Sequence, residues 1–233
     1  DRSFSAGVAT ALIASAALMG MELVVSQRLQ LVVGLSPLQA GLTILPIPLG
    51  AFIAGPLAGL ALPRLGAERI LSASLGLAAA GALLYLLGYS AAYWIQLVSF
   101  ALLGFGVGAA MTAASSAMLL HAPPDRAGMA ASIEEVSYEL GGAFGIAVLG
   151  SVMSAVYTNA FAAPASVDAP ALAHDSLDGA LIAAESLPDS VAAQLISVAQ
   201  SAFDSAFVTV MILVAALLTM AALGIALTTR RAR

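Results

Sequence analysis

Residues 127–157 read AGMAASIEEVSYELGGAFGIAVLGSVMSAVY. At about 1.5 Å per residue this run, as a helix, is long enough to cross a bilayer core of about 30 Å. Glu134, Glu135 and Glu139 are its charged residues. A charge at the centre of a membrane helix costs roughly 2.5–3.5 kcal/mol on insertion scales. Three carboxylates facing lipid would be hard to sustain, so they are expected to face a polar cavity or to hold protons for part of the time. The pattern points to an ion-coupled transporter or a cation-binding site.

Composition agrees with that compartment. The chain has 233 residues, 61% hydrophobic and 9% charged, with a mean hydropathy of +1.01. Soluble domains carry about 25% charged residues, so an integral membrane protein is expected. The absence of cysteine removes disulfides, thiolate chemistry and cysteine metal sites. A net charge of −5 does not suit a nucleic-acid binder. There is no Ser/His/Asp arrangement, no HExxH and no phosphate loop, so neither an enzyme nor a cofactor is expected, and no metal site. The chain opens on Asp1, with the first apolar run following almost at once and no recognisable signal peptide. It reads as a piece of something longer.

Six apolar segments can be drawn: Phe4–Ser26, Leu38–Leu62, Ile70–Gly88, Tyr93–Leu120, Ala127–Tyr157 and Ser205–Thr229. None alternates as barrel strands do, and open strands cannot span lipid because backbone groups must be paired within their own segment. The fold class is therefore an all-α membrane protein with six transmembrane helices. With a cytoplasmic N-terminus, Arg2, Arg64, Arg69, Arg126, Arg230, Arg231 and Arg233 fall inside and Arg28 falls outside, a clear positive-inside bias. Both ends are then cytoplasmic, and Tyr85, Tyr89, Tyr93 and Trp94 are expected at the outer interface.

Three parts follow: residues 1–157 with five spans, an acidic outer segment at 158–203, and 204–233 with the last span and a basic end. The outer segment holds Asp168, Asp175, Asp178, Glu185, Asp189 and His174 without Lys or Arg. Pro164, Pro170 and Pro188 punctuate it. Ser176–Leu187 and Asp189–Ala202 each begin with a capping residue and have helix-like apolar spacing, Leu177, Leu181, Ile182 and Val191, Leu195, Val198. They read as a helical hairpin on or near the outer surface, the alternative being a solvated acidic loop.

Glu135 and Glu139 are four residues apart, hence on one helix face, while Glu134 points about 100° away. Glu139 lies about 18 Å from Ala127, near the midplane. Carboxylates this close raise each other's affinity for protons and titrate as a pair. A lipophilic cation entering the cavity would favour their ionised form and release protons. Glu134 either assists or pairs near the inner interface. Glu22, near the outer end of the first span, either guides cations at the mouth or pairs with Arg28. Gly104 with Gly108, and Gly141 with Gly145, are small residues at helical spacing that let helices approach closely. Pro46, Pro48 and Pro56 imply a kinked second span. His121 reads as an interface residue at the inner end of the fourth.

These residues resemble the carboxy-terminal half of the fourteen-span drug:proton antiporters of the major facilitator superfamily, the QacA/SmvA-like group. Arg2-Ser-Phe-Ser-Ala-Gly7 resembles the start of their ninth span. Ser26-Gln-Arg-Leu-Gln30 with Gly34-Leu-Ser-Pro37 is similar to the junction that follows. Ala127-Gly128, Glu134-Glu135 and Tyr138-Glu139-Leu140-Gly141 are similar to the acidic thirteenth span, and Phe203-Asp204-Ser-Ala-Phe207 to the entry of the last. The resemblance implies efflux of lipophilic organic cations (quaternary ammonium antiseptics, biguanides, dyes) driven by proton influx across a bacterial inner membrane. It assigns protonation and cation binding to Glu135 and Glu139. Gly59, Arg64, Gly66 and Arg69 match a degenerate inner-gate motif, with Pro63 where that motif's acidic residue would stand.

Such antiporters place their cavity between two six-helix bundles, so this chain would supply one wall and require an N-terminal helical half. The expected partners are lipophilic cationic drugs, protons, lipid and that missing half. Two other readings are a non-transporting membrane assembly subunit and a small six-span transporter working as a homodimer.

Overall fold

A chain this apolar must satisfy its backbone within each segment, and it does so as helix. The computed structural model describes residues 2–120, 122–162 and 171–231. His121, Pro164, Asp168, Pro170 and Arg233 lie outside them, as do the side chains of Arg2, Arg230 and Arg231. The helices are α1 Arg2–Gln27, α2 Pro37–Ile44, α3 Pro46–Leu65, α4 Ala67–Gly88, α5 Tyr93–Leu120, α6 Ala127–Ala160, α7 Ala171–Asp175, α8 Leu177–Ala184 and α9 Asp189–Arg231. Among the described residues there is no strand. Six stretches are long and apolar enough to span a membrane: Ser3–Val32, Pro37–Leu65, Ala67–Gly88, Tyr93–Leu120, Ala127–Ala160 and Asp189–Thr228.

Two of these run further than the apolar pattern suggested. The first span does not end at Ser26 but continues through a π-helical turn, Arg28–Val32, and closes at Gly34. There the backbone takes φ +76°, a left-handed conformation that favours glycine. The extension is stabilised by Arg28, which sequence alone leaves looking like an exposed loop cation. Its side chain is buried, its Nε donates to Asp204 Oδ1 at 3.0 Å, and its guanidinium lies 4.5 Å from the Tyr89 ring centre and 5.2 Å from that of Phe207. This ion pair and these two rings tie the ends of α1 and α4 to α9. The last span is likewise extended: the second arm of the expected hairpin and the membrane helix are one unbroken 43-residue helix, α9.

Between Ser36 and Leu65 the chain follows its proline signals. Ser36 caps α2 in a reciprocal box with Gln39, and Pro37 occupies the first turn. α2 and α3 join at Leu45, which keeps helical dihedrals and helical bonds to Gly41 and from Leu49, so the span continues through Pro46, while Pro56 and Pro63 sit inside α3. The aromatic cluster expected at the outer interface divides. Tyr93 and Trp94 are exposed, but Tyr85 is wholly buried, its ring 4.5 Å from Phe100 and 6.0 Å edge-on from Phe207. It belongs to the core because α4 turns that face towards α5 and α9.

Packing rests on small residues. α5 lies behind α3 and α4, and α1 lies against α5 and α6. Gly104 faces the Ile47 backbone and Gly108 faces Ala51, so α3 crosses α5 nearly backbone to backbone. Gly141 and Gly145 meet Leu12 and Ala16 in the same way, joining α6 to α1. A Cβ at Gly145 would collide with the Ala16 carbonyl, an atom that cannot rotate aside. Gly145→Val is therefore expected to destabilise the α1–α6 pair by about 1–3 kcal/mol. A lower unfolding midpoint of the detergent-solubilised protein checks this, with Gly128→Val, which has open space around it, as the unaffected comparison.

α3 and α6 are the least covered of the spans. Phe52, Ile53, Leu57 and Leu60 of α3, and Val136, Leu140, Phe144 and Val148 of α6, are exposed. These faces flank an opening onto one side of α5.

Candidate functional site

The site grows from α6. α6 packs Gly141 and Gly145 on α1, and Glu134 and Tyr138, on nearly the same side but one to two turns nearer Ala127, reach the opening beside α5. Glu134, Glu135 and Tyr138 of α6 line a cleft of about 650 Å³, with Met111, Thr112, Ser115 and Ser116 of α5 and Leu62 of α3. Thr112, Ser115 and Ser116 form a hydroxyl patch on one α5 face. The cleft therefore combines two carboxylates, three aliphatic hydroxyls and a phenol with methionine and leucine. Such a lining can hold a cation by charge and its apolar body by contact.

Tyr138 fixes the geometry. Its hydroxyl donates to the Met111 carbonyl at 3.2 Å, and its own carbonyl accepts from Ser15 Oγ at 2.7 Å. One residue thus links α6 to α5 and α1 directly beside the carboxylates. Tyr138→Phe is expected to cost about 1 kcal/mol of stability, the usual worth of one such hydrogen bond, with membrane insertion unchanged. A thermal melt in detergent beside the insertion level in membranes reads both.

The predicted acids are not all brought together. Glu135 and Glu139 are exposed on the same stripe of α6, Glu134 is half-buried beside Tyr138, and Glu139 lies a turn beyond the cleft. α6 runs 34 residues from Ala127 to Ala160, so its middle falls near Phe144, about 7 Å past Glu139. The acids occupy the half of the helix on the Arg126 side rather than its midpoint. Glu22 stands apart on α1, half-buried and about 15 Å from the Val32 end, deeper than a residue at the mouth. It does not pair with Arg28, whose partner is Asp204. Arg64, Gly66 and Arg69 lie at or beside the α3–α4 turn, where Gly66 takes φ +79°, while Gly59 lies about two turns back inside α3. Arg64 and Arg69 are exposed and neither makes an ion pair within the described residues. No group of three or more metal-ligating side chains gathers among the described residues.

The far end of the bundle has a second, smaller hollow of about 200 Å³. Leu23 and Gln27 of α1, Met153 and Tyr157 of α6, and Asp175 and Asp178 border it. α8 closes one side. Ser176 caps that helix by accepting from Gly179 N–H at 3.0 Å, and Tyr157 donates to the Ala173 carbonyl at 3.0 Å. Its buried face is Leu177, Ala180, Ala183 and Ala184, whereas Ile182 points outward. Of the expected Leu177, Leu181 and Ile182, Leu177 is buried and Leu181 packs partly buried against the core, while Ile182 turns out and alanines fill the rest of the packed surface.

The residues that sequence reasoning passed over are Thr112, Ser115 and Ser116. Their signal was present as three hydroxyls within five positions on an otherwise apolar span. It was masked because isolated Ser and Thr are common in membrane helices, where they bond back to their own backbone, as Thr112 does to Gly108 at 3.0 Å.

The sequence matches the family model of the Major Facilitator Superfamily over residues 3–229. It is 34% identical over 205 residues to the methyl viologen resistance protein SmvA of Salmonella typhimurium, an alignment covering 87% of this chain and 41% of that protein. It is 34% identical over 217 residues to the multidrug efflux pump LfrA of Mycolicibacterium smegmatis, covering 92% and 43% respectively. Similarity to the tetracenomycin C resistance and export protein of Streptomyces glaucescens is 28% over 238 residues, covering 98% and 44%. The chain thus spans less than half the length of these relatives.

Proposed function

Since this chain belongs to the Major Facilitator Superfamily, a family of membrane transporters rather than enzymes, we propose that it forms the carboxy-terminal half of an efflux antiporter. On this reading the whole protein expels lipophilic organic cations in exchange for protons across a bacterial inner membrane. The observation that carries the proposal is the cleft holding Glu134 and Glu135 beside the α5 hydroxyls, between helices long and apolar enough to span a membrane and open to one side. A monovalent lipophilic cation there neutralises a carboxylate that otherwise holds a proton, so the two ligands compete for one charge. Glu139, on the same stripe, extends the acidic path, with Glu22 assisting electrostatically from α1.

The uncovered apolar faces of α3 and α6 support an amino-terminal bundle as the second wall of the cavity. So does the chain's share of its relatives' length. Both chain ends are then cytoplasmic, with the seven arginines on that side, and the acidic α8 arm faces outward. There Asp175 and Asp178, on the rim of the smaller hollow, draw cations leaving the bundle.

Reconstitution of the full-length protein tests the reading. In proteoliposomes loaded with a pH-sensitive dye, adding methyl viologen or a quaternary ammonium ion should drive proton movement opposite to the cation. Cation transport that persists unchanged when the pH gradient is collapsed, with no accompanying proton movement, would overturn it.

A further inference from the structure

On the arginine-bearing side of the bundle, α3 and α4 part and leave an apolar groove of about 360 Å³. Leu57 and Ala61 of α3 form one wall, Ala73 and Leu77 of α4 the other, and Phe105 of α5 the floor. The groove follows α3 from Ala54 to Leu65, a length of about 16 Å. Its depth comes from small residues on both walls where bulkier ones would have brought the helices together. One hydroxyl reaches it, that of Ser74, and it already donates to the Ile70 carbonyl. Nothing along the walls can receive a polar ligand. The exception is at the end, where Arg69 borders the groove.

The charge balance at that end is unusual. Arg69 and Arg64 are both exposed and without an ion pair among the described residues. The one acid nearby in sequence, Glu68, turns towards α1, where it accepts a hydrogen bond from Ser3 at 3.2 Å, and makes no ion pair with either arginine among the described residues. A mouth with two arginines against one carboxylate thus leads into a predominantly apolar slot between two membrane helices. We propose that this groove is a binding site for an anionic phospholipid. One acyl chain lies between α3 and α4, and the headgroup phosphate sits on Arg69, with Arg64 adding to the positive field across the Gly66 turn. Basic pockets between membrane helices select acidic headgroups for the same electrostatic reason. This site is separate from the acidic cleft and independent of which solute the protein moves.

The test is native mass spectrometry of the delipidated full-length protein. It is offered equal amounts of phosphatidylglycerol and phosphatidylcholine with identical acyl chains, and a photoreactive acyl chain then maps the contact. Phosphatidylglycerol should be retained about fivefold over phosphatidylcholine, roughly the selectivity one arginine confers. Arg69→Gln should bring the two lipids near parity, and Ala61→Phe, which fills the slot, should reduce retention of both. Cross-links should fall on peptides of α3 and α4. Should Ala61→Phe fold poorly, Ala61→Leu and the surface change Arg69→Gln still decide the matter. Equal retention of both lipids by the wild type, or cross-links confined to other helices, would overturn the proposal. Displacement of the lipid by inorganic phosphate with no effect of filling the slot would reduce the site to a simple anion contact and overturn it too. A structure of the whole transporter with a protein helix in the groove would do the same.

Discussion

Replacing Glu135 and Glu139 together by glutamine will abolish cation-driven proton movement in the reconstituted full-length protein while leaving its insertion intact. The reason is linkage. If one carboxylate pair binds either proton or cation, the two affinities are coupled by a free energy that must act equally in both directions. Couplings of this kind span about 5–150-fold in affinity, and glutamine removes the ionisable group on which they depend. The sign is fixed: the deprotonated form attracts the cation, so wild-type cation affinity should rise with pH. In the double variant it should be flat and weaker by about tenfold or more. Glutamine keeps the size and hydrogen-bonding ability of glutamate, so a folding defect is not expected at these exposed positions. Glu134→Gln should have a smaller effect, because that side chain is partly covered beside Tyr138. Retained, pH-dependent cation binding in the double variant would move the exchange to another acid, with Glu134, the carboxylate left in the cleft, the next to replace.

Arg28→Ala should be the most damaging single change away from the acidic helix. The guanidinium is buried, while the Asp204 carboxyl is about a third exposed, with a side-chain accessibility of 36%. Removing one partner of a buried pair costs about 3–5 kcal/mol, and the water available to Asp204 places this case near the lower end, at about 3 kcal/mol. The loss also empties the space between Tyr89 and Phe207. Arg28→Lys keeps the charge but not the planar stacking or the fork of donors, so it should recover part of the stability. A double-mutant cycle with Asp204→Ala isolates the pair from the stacking. Additive effects in that cycle would show that the two side chains are neighbours without being energetically coupled.

These two sites differ in how readable they were. The acids of residues 127–157 stood out because charge is rare in an apolar run, and hydropathy alone drew six spans whose cores agree with the structure. The helix ends were less legible. Arg28 reads as the start of a loop until its partner, 176 residues away, is known; that pairing is tertiary information. Tyr85 followed the interface rule for tyrosines but was claimed by the core, because the facing surfaces of α5 and α9 supply Phe100 and Phe207. The boundary between outer arm and last span was invisible for a simpler reason. No proline lies between Asp189 and Arg231, and the capping-type residues Ser201, Asp204 and Ser205 lie inside the continuous helix, so nothing in the chain forces a break. As for the cleft, its acids were legible, but its α5 hydroxyls needed the crossing of α5, α6 and α3 to acquire a common direction.

That unbroken α9 has a mechanical consequence. A rod without a joint converts rotation into displacement. The stretch from Asp189 to Ala202 extends about 20 Å beyond the most apolar part of the helix, so a tilt of about 6° within the bilayer swings its tip by about 2 Å. Any rocking of the bundle is therefore written, magnified, on a surface that solvent reaches. A spin label or fluorophore at Ser190 would move with the deepest part of the last span, like a pointer fixed to a hidden dial.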